Sequence, residues 1–296
     1  MPHGEAFTAQ TPIESVIHDP ILQPFGRLLF PLTDAYWSGT TLGNIRLVWY
    51  TCIHPESTVA VINDLKSRAK AGKPIFLDIY SKAEKQRDPA KRNTGLFYFA
   101  GRPGEPFAVV NAGGGFQYVG AIHDSLPHAL EISHHGAHAF ALIYRPGGQT
   151  ACEDLARAIE VIFRQAPKLG ISTEGYSLWG GSAGARMAAW VGSLGPAAFG
   201  ATRLPQASAV IMQYTGETRV AGDEPPTFAC VGESDSIAWW RTMERRLNRI
   251  AANGTPTEFH HYRGLEHGFG LGIGTVADGW LSQAFAFWMK QISTAK

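Results

Sequence analysis

Short apolar runs alternate with amphipathic helical patterns from about residue 74 to the end of the chain. Eight of these runs have the length and apolar content of buried strands, and helical patterns separate several of them. This alternation is typical of a mostly parallel sheet that helices cover on both faces, so the sequence predicts an α/β fold. The predicted strands are 74–80, 96–101, 107–111, 139–144, 176–180, 208–214, 227–232 and 257–262.

The clearest helical pattern begins at Thr150 and repeats apolar residues every three or four positions as far as Ala166, which would keep one face toward the sheet. Thr150 and Glu153 have the spacing of a capping box at its start. Glycine, proline or polar residues mark the ends of the other helices. These predicted helices cover 124–135, 183–194, 236–253 and 275–290.

Residues 1–73 do not show this alternation of apolar runs and helical patterns. They contain a proline-rich lead, a candidate strand at 45–50 and a helical pattern at about 58–71. We therefore predict an N-terminal arm or cap over 1–73 and one α/β domain over 74–296. No internal repeat or low-complexity tract divides the chain further.

Composition and charge narrow the range of functions. The 296 residues can bury a large core, and their formal net charge of +1, without a Lys/Arg-rich block, argues against nucleic acid or a membrane surface as partner. Neither a secretory signal in residues 1–30 nor a membrane-spanning segment is expected. Cys52, Cys152 and Cys230 are scattered and odd in number, which suits a reducing compartment. We expect a cytoplasmic protein with a small neutral substrate; a homo-oligomer is compatible with the sequence.

Residues 180–184 read Gly-Gly-Ser-Ala-Gly, and Ser182 stands where a predicted strand gives way to a predicted helix. A sharp turn of this kind needs small residues two places before and after the serine, because strand and helix approach each other closely there. The turn lifts the hydroxyl out of the sheet, and the amino end of the following helix favours developing negative charge. The pattern therefore predicts a nucleophilic serine.

A second glycine-rich segment follows the predicted strand 107–111. Ala112 and three consecutive glycines, 113–115, come directly after that apolar run. Consecutive glycines allow backbone N–H groups to converge on one point, where a side chain would obstruct an oxyanion. The segment therefore predicts a loop that stabilises negative charge.

These two segments resemble those of the α/β-hydrolase superfamily, and within it the bacterial acetylesterase, acetyl-xylan-esterase-like and hormone-sensitive-lipase-like branches. The resemblance spans roughly residues 74–294 through strand order. It implies the α/β-hydrolase fold and a serine nucleophile at Ser182. It also implies an oxyanion hole formed by the N–H groups of Gly114, Gly115 and Ala183.

The chain departs from these relatives in two places. Ala112 stands where many of them carry histidine, so another group must hold the glycine loop, and Asn111 is the candidate. Many relatives also insert a helical cap between the sixth and seventh strands, for which the interval 215–226 is too short. Any lid must then come from residues 1–73, where an apolar cluster between residues 25 and 37 is the candidate.

A nucleophilic serine needs a histidine base and a carboxylate that orients it, and this fold places them in the order serine, acid, histidine. Asp235 follows the predicted strand 227–232 at the position where relatives carry the acid. Glu217, after the preceding strand, is the alternative. His267 lies in the glycine-flanked loop 264–270, which resembles the His-Gly-Phe loop of these esterases.

We therefore expect a serine carboxylesterase that works through an acyl-enzyme and needs no cofactor. The resemblance implies a short acyl group of the acetyl type. A peptidase or amidase with the same triad and a non-catalytic binding protein on a hydrolase scaffold are the alternatives. His134, His135 and His138 are not expected to bind a metal, because Gly136 ends their helix and places His138 in the next strand.

Overall fold

The computed structural model describes residues 6–294, which form ten strands and nine α-helices. The strands are β1 (Trp37–Ser38), β2 (Arg46–Leu47), β3 (Phe76–Leu77), β4 (Gly95–Phe99), β5 (Phe107–Asn111), β6 (His138–Ile143), β7 (Ser177–Gly181), β8 (Ala209–Gln213), β9 (Thr227–Gly232) and β10 (Thr257–Tyr262). The helices are α1 (Ile13–Ile17), α2 (Pro55–Lys70), α3 (Lys82–Arg87), α4 (Ala121–Asp124), α5 (Leu126–His134), α6 (Gly148–Leu169), α7 (Ala183–Leu194), α8 (Trp240–Ala252) and α9 (Trp280–Thr294). Short 3₁₀ turns occur at Gly26–Leu29, Asp34–Tyr36, Pro89–Asn93 and Pro196–Phe199.

Eight of these strands form one sheet in the order β10-β9-β8-β7-β5-β6-β4-β3. The pairs from β10 across to β6 are parallel, and β4 is antiparallel to both β6 and β3. The predicted eight-stranded, mostly parallel sheet is therefore confirmed. The largest difference concerns 74–80, of which only Phe76–Leu77 is a strand; it lies at the sheet edge and pairs with β4 alone.

Strands β5, β6, β7, β8 and β9 are buried along their whole length, as expected when helices cover a parallel sheet. Two groups of helices pack on it. Helix α5 contacts β4, β5 and β6 together with α2 and α9, whereas α7 contacts β7 and β8 together with α6. The catalytic candidates lie in loops that follow β5, β7, β9 and β10, on a scaffold that this packing keeps rigid.

Two helix starts differ from the sequence prediction. The capping box at Thr150 and Glu153 is wrong, because α6 begins at Gly148, after Gly147 with φ +100°, and Thr150 lies inside its first turn. The helix predicted at 124–135 is α5, which begins at Leu126, and a separate short helix, α4, precedes it. Pro127 near the start of α5 has no N–H to donate to the preceding turn, so the helix cannot run through this point.

Helices α8 and α9 begin later than predicted. Residues 236–239 are not helical, because the N–H groups of Ile237 and Ala238 donate to the Asp235 side chain and form a turn around it. Before α9, Gly274 and Gly279 have positive φ angles that interrupt a helix. Two loops are therefore longer than the sequence pattern indicates. One carries the predicted acid, and the other follows His267.

Part of the predicted arm packs into the same apolar core as the sheet. Val16, Leu29, Ile45 and Val61 are fully buried in it. Within the candidate strand 45–50, only β2 is extended, and it pairs with β1 outside the main sheet. Residues 1–5 of the arm and 295–296 of the α/β domain lie outside the described residues, and the division at residue 73 stays a prediction.

A buried ion pair joins the end of β6 to the first turns of α6. Asp154 is fully buried, and its carboxylate accepts hydrogen bonds from the Arg145 guanidinium at 2.7 Å and from the Arg145 backbone N–H at 2.7 Å. The Tyr80 hydroxyl also donates to Asp154, at 2.6 Å. One carboxylate thus connects the sheet, helix α6 and the segment after β3.

We predict that Asp154→Ala destabilises the protein by about 3 kcal/mol, the lower end for a broken buried pair, because Arg145 loses its buried partner but keeps the more exposed Asp88 at 2.9 Å. The matched control is Glu105→Ala, which removes the exposed pair between Arg102 and Glu105, with side chains 70% and 38% exposed. That change should alter stability by about 0–1 kcal/mol. Urea unfolding followed by circular dichroism measures both, and equal losses would contradict the prediction.

Candidate active site

Ser182 occupies the sharp turn between β7 and α7. Its backbone angles, φ +52° and ψ −115°, lie in a region that residues other than glycine rarely adopt. A Cβ atom at Gly180 would collide with the backbone of Gly184, and one at Gly184 would collide with the carbonyl of Asn111. The two glycines predicted from the pattern are therefore required by contact, and they allow the strained turn that presents the hydroxyl.

His267 and Asp235 lie next to this serine. The distance from His267 Nε2 to Ser182 Oγ is 3.1 Å, and that from His267 Nδ1 to Asp235 Oδ2 is 2.7 Å. Because a carboxylate only accepts, Nδ1 carries the proton toward Asp235, which leaves Nε2 of the neutral ring to accept from the serine hydroxyl. The side chains of His267 and Asp235 are 5% and 0% exposed. His267 can thus take the proton of the Ser182 hydroxyl, while the buried Asp235 carboxylate orients the ring and stabilises its positive charge.

Glu217, the alternative acid, is occupied elsewhere. Its carboxylate accepts from the Trp190 indole N–H at 2.6 Å and from the Arg219 backbone N–H at 2.7 Å, and it is 3.5 Å from the Arg219 guanidinium. The carboxylate in contact with His267 is that of Asp235. Of the two carboxylates left open by the sequence, the geometry favours Asp235.

The glycine loop after β5 is not held by Asn111. The Asn111 side chain donates to the carbonyl of Trp179 in the neighbouring strand, at 2.8 Å, and so stabilises the sheet. Its expected role in the loop is wrong, because its side chain is already used between β5 and β7. The Tyr144 hydroxyl instead donates to the carbonyl of Ala112, at 2.6 Å.

The main support of the loop is Asp124, which the sequence reasoning missed. This carboxylate is fully buried and accepts from the Gly113 backbone N–H at 2.6 Å, from the Tyr50 hydroxyl at 2.8 Å and from the Tyr214 hydroxyl. Burial and the charge of Asp124 raise the pKa of both tyrosines well above the ordinary value, so both hydroxyls remain donors. A charged residue inside a largely apolar stretch, 118–130, was the signal, because a buried charge needs partners.

Two further contacts fix the histidine loop. The ring of His123 lies with Nε2 2.9 Å from the carbonyl of Gly268, and burial lowers the pKa of His123, which keeps that ring neutral. On the other side, the Thr51 hydroxyl donates to the carbonyl of His267, at 2.8 Å. The carbonyl groups of His267 and Gly268, which are consecutive in the loop, are therefore held by two separate parts of the chain.

The serine and the histidine open into a cavity of about 410 Å³. Trp49 and Ile237 give it exposed apolar walls, with 42% and 54% of their surface accessible. No aspartate, glutamate, lysine or arginine is among the residues that line it. They are Trp49, Tyr50, Gly114, Gly115, Gln117, Ser182, Ile237 and His267.

The three residues predicted for the oxyanion hole line the cavity or follow Ser182 directly in the chain. Gly114 and Gly115 line the cavity that Ser182 faces. Ala183 is the first residue of α7, where a backbone N–H has no partner within the helix. Gly114 and Gly115 thus line the same cavity as Ser182 and His267, and Ala183 begins the helix that follows the serine. Their role as an oxyanion hole stays a prediction.

Other binding chemistry has no comparable support within residues 6–294. That part of the chain brings together no group of three or more His, Cys, Asp or Glu side chains suited to a metal ion. None of its helices has both the length and the apolar character needed to cross a bilayer. His138 begins β6, and its ring lies 2.8 Å from the Tyr98 hydroxyl.

No family model and no curated protein matches the chain. Solved structures do resemble it. An acetyl ester-xyloside bifunctional hydrolase from Caldicellulosiruptor lactoaceticus is 20% identical with a TM-score of 0.64, over 74% of this chain and 96% of that chain. MGS-M1, an α/β-hydrolase enzyme from a Medee basin deep-sea metagenome library, is 17% identical with a TM-score of 0.60, over 74% and 97%. The thermophilic esterase Est2 from Thermogutta terrifontis is 19% identical with a TM-score of 0.57, over 67% and 88%. From its strand order and these neighbours, the chain has the α/β-hydrolase fold.

Proposed function

We propose that this protein is a serine carboxylesterase that hydrolyses small, uncharged esters through an acyl-enzyme. The observation that carries the proposal is the chain of contacts from Asp235 through His267 to Ser182 at the cavity. Structural neighbours that are named as esterases or as an acetyl ester hydrolase support the same reaction class. Apart from the water that hydrolyses the acyl-enzyme, the proposed steps use only residues of this chain.

In the first half of the reaction, Ser182 Oγ attacks the ester carbonyl carbon while His267 Nε2 takes the hydroxyl proton. Asp235 holds the ring and stabilises its positive charge. The carbonyl oxygen becomes an oxyanion, which the N–H groups of Gly114, Gly115 and Ala183 stabilise; one such donor contributes about 10²- to 10³-fold in kcat.

Acylation ends when His267 returns the proton to the alcohol oxygen as the ester C–O bond breaks, and an acyl group remains on Ser182. In the second half of the reaction, water attacks this acyl group while His267 removes one of the water protons. The same steps then release the carboxylic acid and restore the serine hydroxyl.

The cavity supports a small, uncharged substrate with a short acyl group. Its walls supply apolar contact from Trp49 and Ile237, and Gln117 supplies amide hydrogen-bonding groups. An ionised substrate group would find no opposite charge on an aspartate, glutamate, lysine or arginine among the lining residues. An acetyl-type acyl group on a sugar or other neutral alcohol is the substrate class we propose.

The N-terminal arm contributes to this cavity through a segment other than the apolar cluster between residues 25 and 37. Leu29 and Phe30 of that cluster are buried, and the arm residues at the cavity are Trp49 and Tyr50. Tyr36 supports this wall indirectly, because its ring lies 6.2 Å from that of Trp49. We therefore propose that the arm replaces an inserted cap by supplying Trp49 as a wall.

Ser182→Ala should lower ester hydrolysis by up to about 10⁶-fold in kcat, because the nucleophile is lost. Turnover of p-nitrophenyl acetate measures the effect. The matched control is Ser193→Ala near the end of α7, whose hydroxyl donates to the carbonyl of Ala189. An active Ser182→Ala variant would exclude the proposed mechanism.

Asp235→Asn should lower kcat by about 10⁴-fold, because the amide no longer fixes the productive tautomer of His267. Glu217→Gln serves as the matched carboxylate control and should leave kcat within a few-fold, since Glu217 bonds Trp190 and Arg219. The same assay on both variants compares the two acids. The opposite ranking would assign the acid to Glu217.

Trp49→Ala should widen the cavity and raise the preference for longer acyl chains by about 10-fold, the range expected when a pocket wall changes by a few methylene groups. The measurement is kcat/KM on p-nitrophenyl esters from acetate to octanoate, beside an acetylated sugar and an aminoacyl anilide. The control is Trp239→Ala, because Trp239 is 51% exposed but does not line the cavity. Identical chain-length profiles for both variants would remove Trp49 from the wall.

A further inference from the structure

Residues 48–51, which we call the strap, cross between the two loops that carry the reactive groups. At one side, the Tyr50 hydroxyl donates to Asp124, the carboxylate that also accepts the Gly113 N–H of the glycine loop. A Cβ atom at Gly113 would lie 2.5 Å from the Tyr50 hydroxyl and 2.8 Å from Ser182 Cβ. The glycine loop is therefore confined between the strap and the serine.

At the other side, the strap contacts the histidine loop. The Thr51 hydroxyl donates to the carbonyl of His267, at 2.8 Å. Gly268 has φ +73°, and a Cβ atom there would lie 2.6 Å from Tyr50 Cδ1 and 3.0 Å from the Trp49 carbonyl oxygen. Backbone and side chain of the strap thus pack directly against the residue that follows the base.

The strap is itself held in a restrained conformation. Trp49 has φ +71°, an unusual angle for a bulky residue that persists only where surrounding contacts impose it. Those contacts are present: the Tyr118 hydroxyl donates to the Val48 carbonyl, and the Val48 N–H donates to the Tyr36 carbonyl at 3.0 Å. Backbone strain beside a reactive site is a reason to seek a functional role for the segment.

We propose that the strap positions both reactive loops relative to Ser182, with Tyr50 acting on the glycine loop through Asp124 and Thr51 acting on the histidine loop through the His267 carbonyl. The proposal rests on the esterase function above. Tyr50 and Thr51 are positioning residues, because each hydroxyl acts through another residue. Their effect is on geometry, and a displacement of about 1 Å of a reactive group lowers a rate by about 10²-fold.

The electrostatics fit this role. Asp124 is fully buried and takes its hydrogen bonds from Gly113, Tyr50 and Tyr214. When one of three donors to a buried carboxylate is removed, the remaining two must compensate, and the carboxylate moves toward them. Movement of Asp124 carries the Gly113 N–H with it, and Gly114 and Gly115 follow directly in the chain.

The test compares Tyr50→Phe, Thr51→Val and the double variant with the wild-type protein on p-nitrophenyl acetate. Each single change removes one hydroxyl and keeps the side chain's shape. We expect kcat to fall about 10- to 100-fold for each, with KM within about twofold, and the two factors to multiply because they act on different loops. Wild-type kcat in both single variants would overturn the proposal.

Two further readouts separate positioning from a general loss of stability. An aryl boronic acid forms a tetrahedral adduct on the serine, so its inhibition constant should rise in Tyr50→Phe by the factor that kcat falls. The matched control is Tyr98→Phe, a buried tyrosine whose hydroxyl contacts His138 and no site residue. Tyr98→Phe should lower the Tm about as much as Tyr50→Phe does, but leave kcat and the inhibition constant unchanged. A loss of activity in Tyr98→Phe equal to that in Tyr50→Phe would also overturn the proposal.

The proton on His267 Nδ1, which is hydrogen-bonded to Asp235, gives a readout that needs no turnover. Its downfield NMR resonance should shift or broaden in Thr51→Val and stay unchanged in Tyr98→Phe. An inactive wild type on every ester would refute the esterase function, whereas an unchanged resonance in Thr51→Val would refute the strap. The two failures are therefore distinguishable.

Discussion

A carboxylate that has no access to water must be surrounded by donors, and Asp124 imposes this condition beneath the reactive serine. Its donors come from the segment before α2, from the loop after β5 and from the residue after β8. Satisfying one buried charge therefore brings three distant parts of the chain to one point. The strained serine turn and the glycine loop lie on either side of that point, so their relative position depends on it.

Much of the fold could be predicted from local patterns of apolar residues and glycines in the sequence. The bounds predicted for β5, β9, β10 and α7 agree with the structure. For β5 and β9 the reason is that a central strand of a parallel sheet is a continuous apolar run. The nucleophile turn was equally visible, since Gly180 and Gly184 are dictated by contacts within a few residues of Ser182 or with the adjacent strand. Edge strand β3 was overestimated, since only Phe76 and Leu77 pair with β4.

The rest depends on contacts between residues far apart in the chain, which periodicity does not record. Tyr50 and Asp124 are 74 positions apart, and neither has a motif that pairs it with the other. Asn111 was chosen for the glycine loop because it is a neighbour in sequence, but its amide is used across the sheet. The start of α8 was misplaced for a related reason, since the Asp235 carboxylate binds the next N–H groups and delays the helix.

The contact between Thr51 and His267 spans 216 positions, so it joins an early part of the polypeptide to a late one. During synthesis the strap leaves the ribosome long before the histidine loop exists, at a rate of about 5–20 residues per second. Closing such a long loop is entropically costly and comes late in folding. The reactive geometry is therefore assembled only after the histidine loop has been made, and a nascent chain that stops before His267 holds its serine without the base that activates it.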